Sequence, residues 1–184
     1  MAEPLAYFLT WHTYGTWLHG HERGSVDTEH SGFGTPFAPP NPVREAQSAA
    51  QMAHGPTTLD EPRRGAVQAA IEEVCPIRGW RLIALNVRTT HIHAVVNAPS
   101  APEKTMNDFK AYATRCLRRQ QLVAPEERIW ATHGSTRYVW TDDQLAEVVA
   151  YVVDRQGAPI LPEPIDRLRS KTKQNPEPDQ SPEC

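Results

Sequence analysis

The stretch Arg81-Leu-Ile-Ala-Leu-Asn-Val-Arg-Thr-Thr-His-Ile-His-Ala-Val-Val-Asn97 decides how this chain folds. Two apolar runs flank a short Arg-Thr-Thr break. That pattern predicts a hairpin of strands over Arg81 to Val87 and His91 to Asn97. Side chains alternate along a strand, so His91 and His93 share one face and Ile92 anchors the other. Two imidazoles on one face of a rigid element make a candidate metal-binding edge. The alternative is a pair of half-exposed strand histidines. The pattern by itself is not specific. The chain has 8 histidines in 184 residues and a second copy of the motif, His19-Gly20-His21. That copy lies in a Gly/His-rich stretch with no strand period and reads as loop.

Tyr7-Phe-Leu-Thr-Trp-His-Thr13 reads as a strand, rich in aromatic and β-branched residues. From Gly15 to about Leu59 the chain is rich in Gly, Pro, Ser and His, and is too long for an ordinary connection. It reads as a mobile insertion, with Arg23-Gly-Ser-Val-Asp27 the part closest to a function. Asp60 to Cys75 predicts a helix, with Asp60 as N-cap and Pro62 in the first turn. Glu103 to Gln121 predicts a second helix with two faces. At about 100° per residue, Met106, Phe109, Ala113, Cys116 and Leu117 gather on one side. Lys104, Arg115, Arg118 and Arg119 lie roughly opposite, with Lys110 at the margin. Thr136-Arg-Tyr-Val-Trp140 is a short strand candidate. A last helix starts at Thr141 and runs to about Arg155, stopped by Gly157 and Pro159. Residues 158–184 are rich in Pro and charge and read as a disordered tail behind a domain of residues 1–157. The order strand, helix, strand, strand, helix, strand, helix predicts an α+β fold. It is a ferredoxin-like βαββαβ core with an antiparallel sheet, plus a C-terminal helix.

A chain of this length can bury one proper core. The net charge of −3 carries no whole-chain signature for nucleic acid. Between Arg81 and Gln121, however, there are seven Lys/Arg and only two acids, Glu103 and Asp108. This basic middle either faces phosphates or is a solvated helix face. Cys75, Cys116 and Cys184 are odd in number and widely spaced. They form neither a disulfide framework nor a zinc spacing, which fits a reducing compartment. No run has the length of a signal peptide's apolar core or of a membrane span. The expected location is the cytoplasm, without membrane partners.

In the last helix Leu145, Val148, Val149, Val152 and Val153 share an apolar face. Tyr151 falls about 130° from the centre of that face. It sits on the polar side with Gln144, Glu147 and Arg155. This presents the phenol outward, near the rim or across an interface. The alternative is an exposed tyrosine with no role. Tyr112 and Tyr138 read as packing or substrate-contact residues.

Thr90-His-Ile-His-Ala-Val-Val96 resembles the His-hydrophobic-His motif of the single-tyrosine HUH endonucleases. The segments Asp108-Phe-Lys-Ala-Tyr-Ala-Thr-Arg115 and Ala150-Tyr-Val-Val-Asp-Arg-Gln-Gly157 follow in that family's order. Thr10-Trp-His-Thr-Tyr-Gly-Thr-Trp-Leu18, Arg23-Gly-Ser-Val-Asp27 and Arg78-Gly-Trp-Arg-Leu82 resemble an IS-element transposase branch of the group. The chain is similar to the REP-associated tyrosine transposases as well. The likeness covers roughly residues 5 to 157, apart from much of the insertion. It is specific because several motifs occur in the right order.

The resemblance implies an enzyme that nicks and rejoins hairpin-bearing single-stranded DNA through a 5′-phosphotyrosine intermediate. Tyr151 would be the nucleophile. His91 and His93 would hold Mg²⁺ or Mn²⁺ against the scissile phosphate. Lys110, Arg115, Arg118 and Arg119 would hold the DNA backbone. Trp11 and Trp17 would either stack on bases or pack in the core. Two imidazoles alone favour softer metals, so a side-chain oxygen is needed to harden the site. The family draws it from four residues after the tyrosine, where this chain has Arg155, which cannot ligate a cation. Gln156 is the expected third ligand, with Asp154 as the alternative. On a regular helix Gln156 points about 140° away from Tyr151. The resemblance also implies a homodimer in which one subunit's tyrosine serves the other's histidines. The competing readings are a non-catalytic nucleic-acid-binding module on the same fold and a small metal-binding protein.

Overall fold

The computed structural model describes residues 3–18, 20 and 38–154. In chain order its elements are β1 (Ala6–Thr13), α1 (Pro42–Ala50), α2 (Glu61–Arg78), β2 (Arg81–Val87), β3 (His91–Asn97), α3 (Pro102–Arg119), β4 (Trp130–Val139) and α4 (Asp142–Asp154). The four strands form one sheet in the order β2-β3-β1-β4. Every neighbouring pair is antiparallel. Without α1 and α4, the order and topology are the expected ferredoxin-like βαββαβ core.

The two faces of the sheet bury different things. Tyr7, Leu9 and Trp11 of β1 and Ile92, Ala94 and Val96 of β3 face α2 and α3. There they meet Val67, Ile71, Val74, Phe109 and Leu117 in the main core. The alternate residues face α4, where Ala6, Ala84, Val95 and Val139 pack on Val148, Val152 and Val153. A register shift between Leu82 and Ala84 changes the phase of β2. The shift sends Leu85 and Val87 to the main core and leaves Asn86 under α4, because a strand's side-chain period is two.

Local chemistry sets the helix ends. The Asp60 side chain accepts a hydrogen bond from the Arg63 amide at 3.1 Å, which caps α2. The helix runs past its expected end at Cys75, carrying Pro76 in its last turn, to Gly79, which closes it at φ 67°. Gly134, opposite Trp11 on β4, is required by close approach. A Cβ there would lie 2.6 Å from the Thr10 carbonyl oxygen and 2.5 Å from Met106 Sδ.

Two expectations need correction. The 15–59 insertion is not irregular throughout: α1 lies within it, capped by Asn41 and started by Pro42. It was hidden because it has no buried residue to produce an apolar stripe. The last strand begins at Trp130 rather than Thr136, its first half being an exposed edge with little alternation. His19, Arg23 to Asp27, Gln156 and the 158–184 tail lie outside the described residues. Among the described residues, no helix is long and apolar enough to cross a membrane.

Candidate active site

The face that α4 only partly covers carries a row of histidines. Antiparallel register places His12 of β1 opposite His91 of β3, and Thr10 opposite His93. The His91 and His93 ring centroids are 4.9 Å apart. Those of His12 and His91 are 5.5 Å apart. His93 is only 5 % exposed. Its ring stacks on Phe8 at 5.6 Å and 29°.

Both motif histidines are oriented by threonines. His93 Nδ1 is 2.8 Å from Thr10 Oγ1. His91 Nδ1 is 3.1 Å from Thr90 Oγ1. A hydrogen bond at Nδ1 fixes the ring and makes Nε2 the nitrogen that a metal would take, the usual arrangement behind metal-binding histidines. The pair therefore fits as two ligands of a divalent cation. Among the described residues, no group of three or more His, Cys, Asp or Glu side chains is placed to hold one. Oxygen donors would have to complete the site. Burial, then the nearby His91 and Lys110 charges, push His12 down to about 4. His12 is therefore neutral at neutral pH.

Tyr151 reaches this site from α4. Its ring lies 5.5 Å from the His93 ring at 76°, and 5.9 Å from the Phe8 ring at 77°. It remains 36 % exposed. The helix face predicted to be polar is thus a flank that looks onto the uncovered half of the sheet. One turn earlier on that flank, Glu147 meets Arg137 of β4 at 4.0 Å. The helix is pinned by Asn86, which is fully buried and donates from Nδ2 to the Val152 carbonyl at 2.9 Å. Val152 is the residue after Tyr151, and Asn86 is the register partner of His93. One buried side chain therefore relates the tyrosine helix to the histidine strand.

The expected DNA-binding residues fall elsewhere. Arg115, Arg118 and Arg119 are exposed on α3, in the layer opposite the histidines. The Arg115 guanidinium lies 4.3 Å over the Tyr112 ring. Lys110 is turned inward. It is 8 % exposed, and its Nζ donates to the carbonyls of Ala131, Thr132 and His133 at 3.0, 3.4 and 3.3 Å. Burial lowers it to about 8. A lysine at the margin of an amphipathic helix has a stem long enough to be buried in this way, so its place in the helical wheel did not fix its role. The tryptophans also separate: Trp11 is fully buried against Phe109, whereas Trp17 is half-buried beside His12.

Sequence reading missed Thr10, His12, Asn86 and Arg137. The signal for the first two was present, since period two in the first strand puts Phe8, Thr10 and His12 on one face. The register that brings that face to the histidines was not legible.

No curated protein sequence matches the chain. Solved structures that resemble it distantly include two transposases. One is a REP-associated tyrosine transposase bound to a REP hairpin, at 13 % identity and TM-score 0.44, covering 83 % of this chain and 68 % of that one. The other is a candidate transposase of Deinococcus radiodurans R1, at 15 % identity and TM-score 0.46, covering 86 % and 95 %. Residues 56–154, more than half of the chain, match the family described as "Transposase IS200 like". That match spans the histidine strand, the basic helix and the helix that carries Tyr151, and on it the chain belongs to the IS200-like transposase family.

Proposed function

We propose that this transposase nicks and rejoins hairpin-bearing single-stranded DNA at Tyr151. One observation carries the reading: the Tyr151 ring packs against His93 within a single chain. In the forward step the phenolic oxygen attacks phosphorus and its proton passes to solvent. The bond from phosphorus to the 3′ oxygen breaks, leaving a 5′-phosphotyrosine and a 3′-hydroxyl that takes up a proton. The reverse step with an incoming 3′-hydroxyl joins a strand, and the covalent link stores the bond energy, so no nucleotide cofactor is required.

His91 and His93 would hold Mg²⁺ or Mn²⁺, which would supply Lewis-acid polarisation of the phosphate. Thr10 and Thr90 keep the imidazoles in position, and Asn86 keeps the helix of Tyr151 docked. Gln156, with Asp154 as the alternative, remains the proposed oxygen donor. Arg115, Arg118 and Arg119 would hold backbone phosphates on the other layer, so the DNA would have to pass from one layer to the other. Lys110 would act structurally. A homodimer remains part of the reading on family grounds, but it is not needed to bring a tyrosine to the histidines.

The test is a denaturing gel of wild type and Tyr151→Phe after incubation with single-stranded hairpin DNA and Mg²⁺ or Mn²⁺. A covalent protein–DNA adduct is expected only with wild type. An adduct that survives Tyr151→Phe contradicts the nucleophile assignment. DNA binding without an adduct would favour the non-catalytic module.

A further inference from the structure

We propose that Trp17 stacks on a nucleobase beside the His91–His93 pair, so that the site grips DNA by a base as well as by a phosphate. The proposal rests on the nicking reading for its ligand, single-stranded DNA. The chain has five tryptophans. Trp11, Trp80 and Trp130 are buried in the main core. Trp140 is exposed and stacks on Tyr138, whose ring meets Tyr7 on the side of the main core. Trp17 alone among the tryptophans borders the histidine row. Its ring centroid is 4.4 Å from that of His12, with the planes at 84°. His12 in turn is the cross-strand partner of His91.

The turn that presents Trp17 is fastened to the histidine strand. The carbonyl of Thr90, the residue before His91, accepts from the Thr13 amide at 2.9 Å, Thr13 Oγ1 at 3.1 Å and Thr16 Oγ1 at 3.2 Å. The Tyr14 amide donates a hydrogen bond to the Ile129 carbonyl at 2.8 Å, and the Tyr14 carbonyl accepts one from the Thr57 amide at 2.9 Å. Gly15 turns the chain at φ +72°, a backbone conformation that L side chains rarely adopt, and a Cβ there would lie 3.1 Å from Pro56 Cα. A half-buried indole on so constrained a turn loses little freedom on binding, and every base offers it a π-face. The segment around Pro56 and Thr57 acquires a role as the buttress of this turn.

The test compares equilibrium binding of a short fluorescein-labelled oligodeoxyadenosine with that of an abasic strand of the same length at one salt concentration. Wild type should favour the base-bearing strand by about tenfold, the scale of one base–aromatic stack. Trp17→Ala should lose that preference while binding the abasic strand as wild type does, and Trp17→Phe should restore most of it. A thermal melt confirms that each variant folds. Tyr151→Phe should keep the preference, so a failure of nicking and a failure of stacking read separately. The proposal is overturned if wild type shows no preference, if the preference survives Trp17→Ala, or if Trp140→Ala abolishes it instead.

Discussion

The Tyr151 and His93 rings of one chain meet edge to face, their centroids 5.5 Å apart and their planes at 76°. A candidate nucleophile on a helix and a ligand candidate on a strand are brought together by the packing of α4 on the sheet. Tyr151→Phe should therefore leave folding nearly untouched, within about 0.5 kcal/mol, because the ring contacts persist and the position is partly exposed. It should abolish the covalent adduct. Urea unfolding and a denaturing gel check the two halves of this prediction.

The motif histidines should differ in their structural cost. His93 is buried, stacked on Phe8 and bonded to Thr10. His93→Ala should cost about 1–3 kcal/mol through lost packing and an unpaired threonine hydroxyl. His91 is only half-buried, so His91→Ala should cost less. Both substitutions should abolish cleavage and leave some DNA binding, measured by gel and anisotropy. Equal destabilisation would contradict the burial difference.

Thr10 should matter through His93. Thr10→Val keeps the shape and removes the hydroxyl that fixes the imidazole. Adduct formation should fall by about 10- to 100-fold, the scale of losing an orienting partner of a metal ligand. Thr10→Ser should recover most of it. A Thr10→Val protein as active as wild type would show that the 2.8 Å contact does not orient the ring.

Much of this architecture was legible in the sequence. The hairpin, both long helices and the apolar stripe of α4 followed from period and caps. The site was legible only as separate pieces. That Thr10 orients His93, and that Asn86 docks α4, depends on strand register and on a bulge in β2, neither of which hydrophobic alternation specifies. Lys110 was misleading for a related reason. Its position on the helical wheel is marginal, and only the path of β4 decides that three carbonyls surround its Nζ.

Lys110 gives a pH signature. Its native pKa, about 8, lies below its ordinary value of 10.5. Between those values the unfolded chain holds a proton that the native state has released, so stability should rise with pH in this window. Cys75, pushed up to about 11 by burial, acts the other way above pH 9. The observable is therefore the stability of wild type minus that of Lys110→Met, measured by urea unfolding from pH 7 to pH 11. The difference should grow in favour of wild type between about pH 8 and 10.5. A flat difference would place Lys110 in solvent.

The central claim is that Tyr151 and the His91–His93 pair form one site within one chain. Mixing two inactive proteins tests it most directly: Tyr151→Phe, and the double variant His91→Ala with His93→Ala. They are incubated together with a single-stranded DNA that wild type attacks and the same divalent cation, and the covalent adduct is counted. No adduct should appear beyond the sum of the separate proteins, because neither chain carries both halves. An adduct that appears only on mixing would mean that the tyrosine of one chain serves the histidines of another, and would contradict the account.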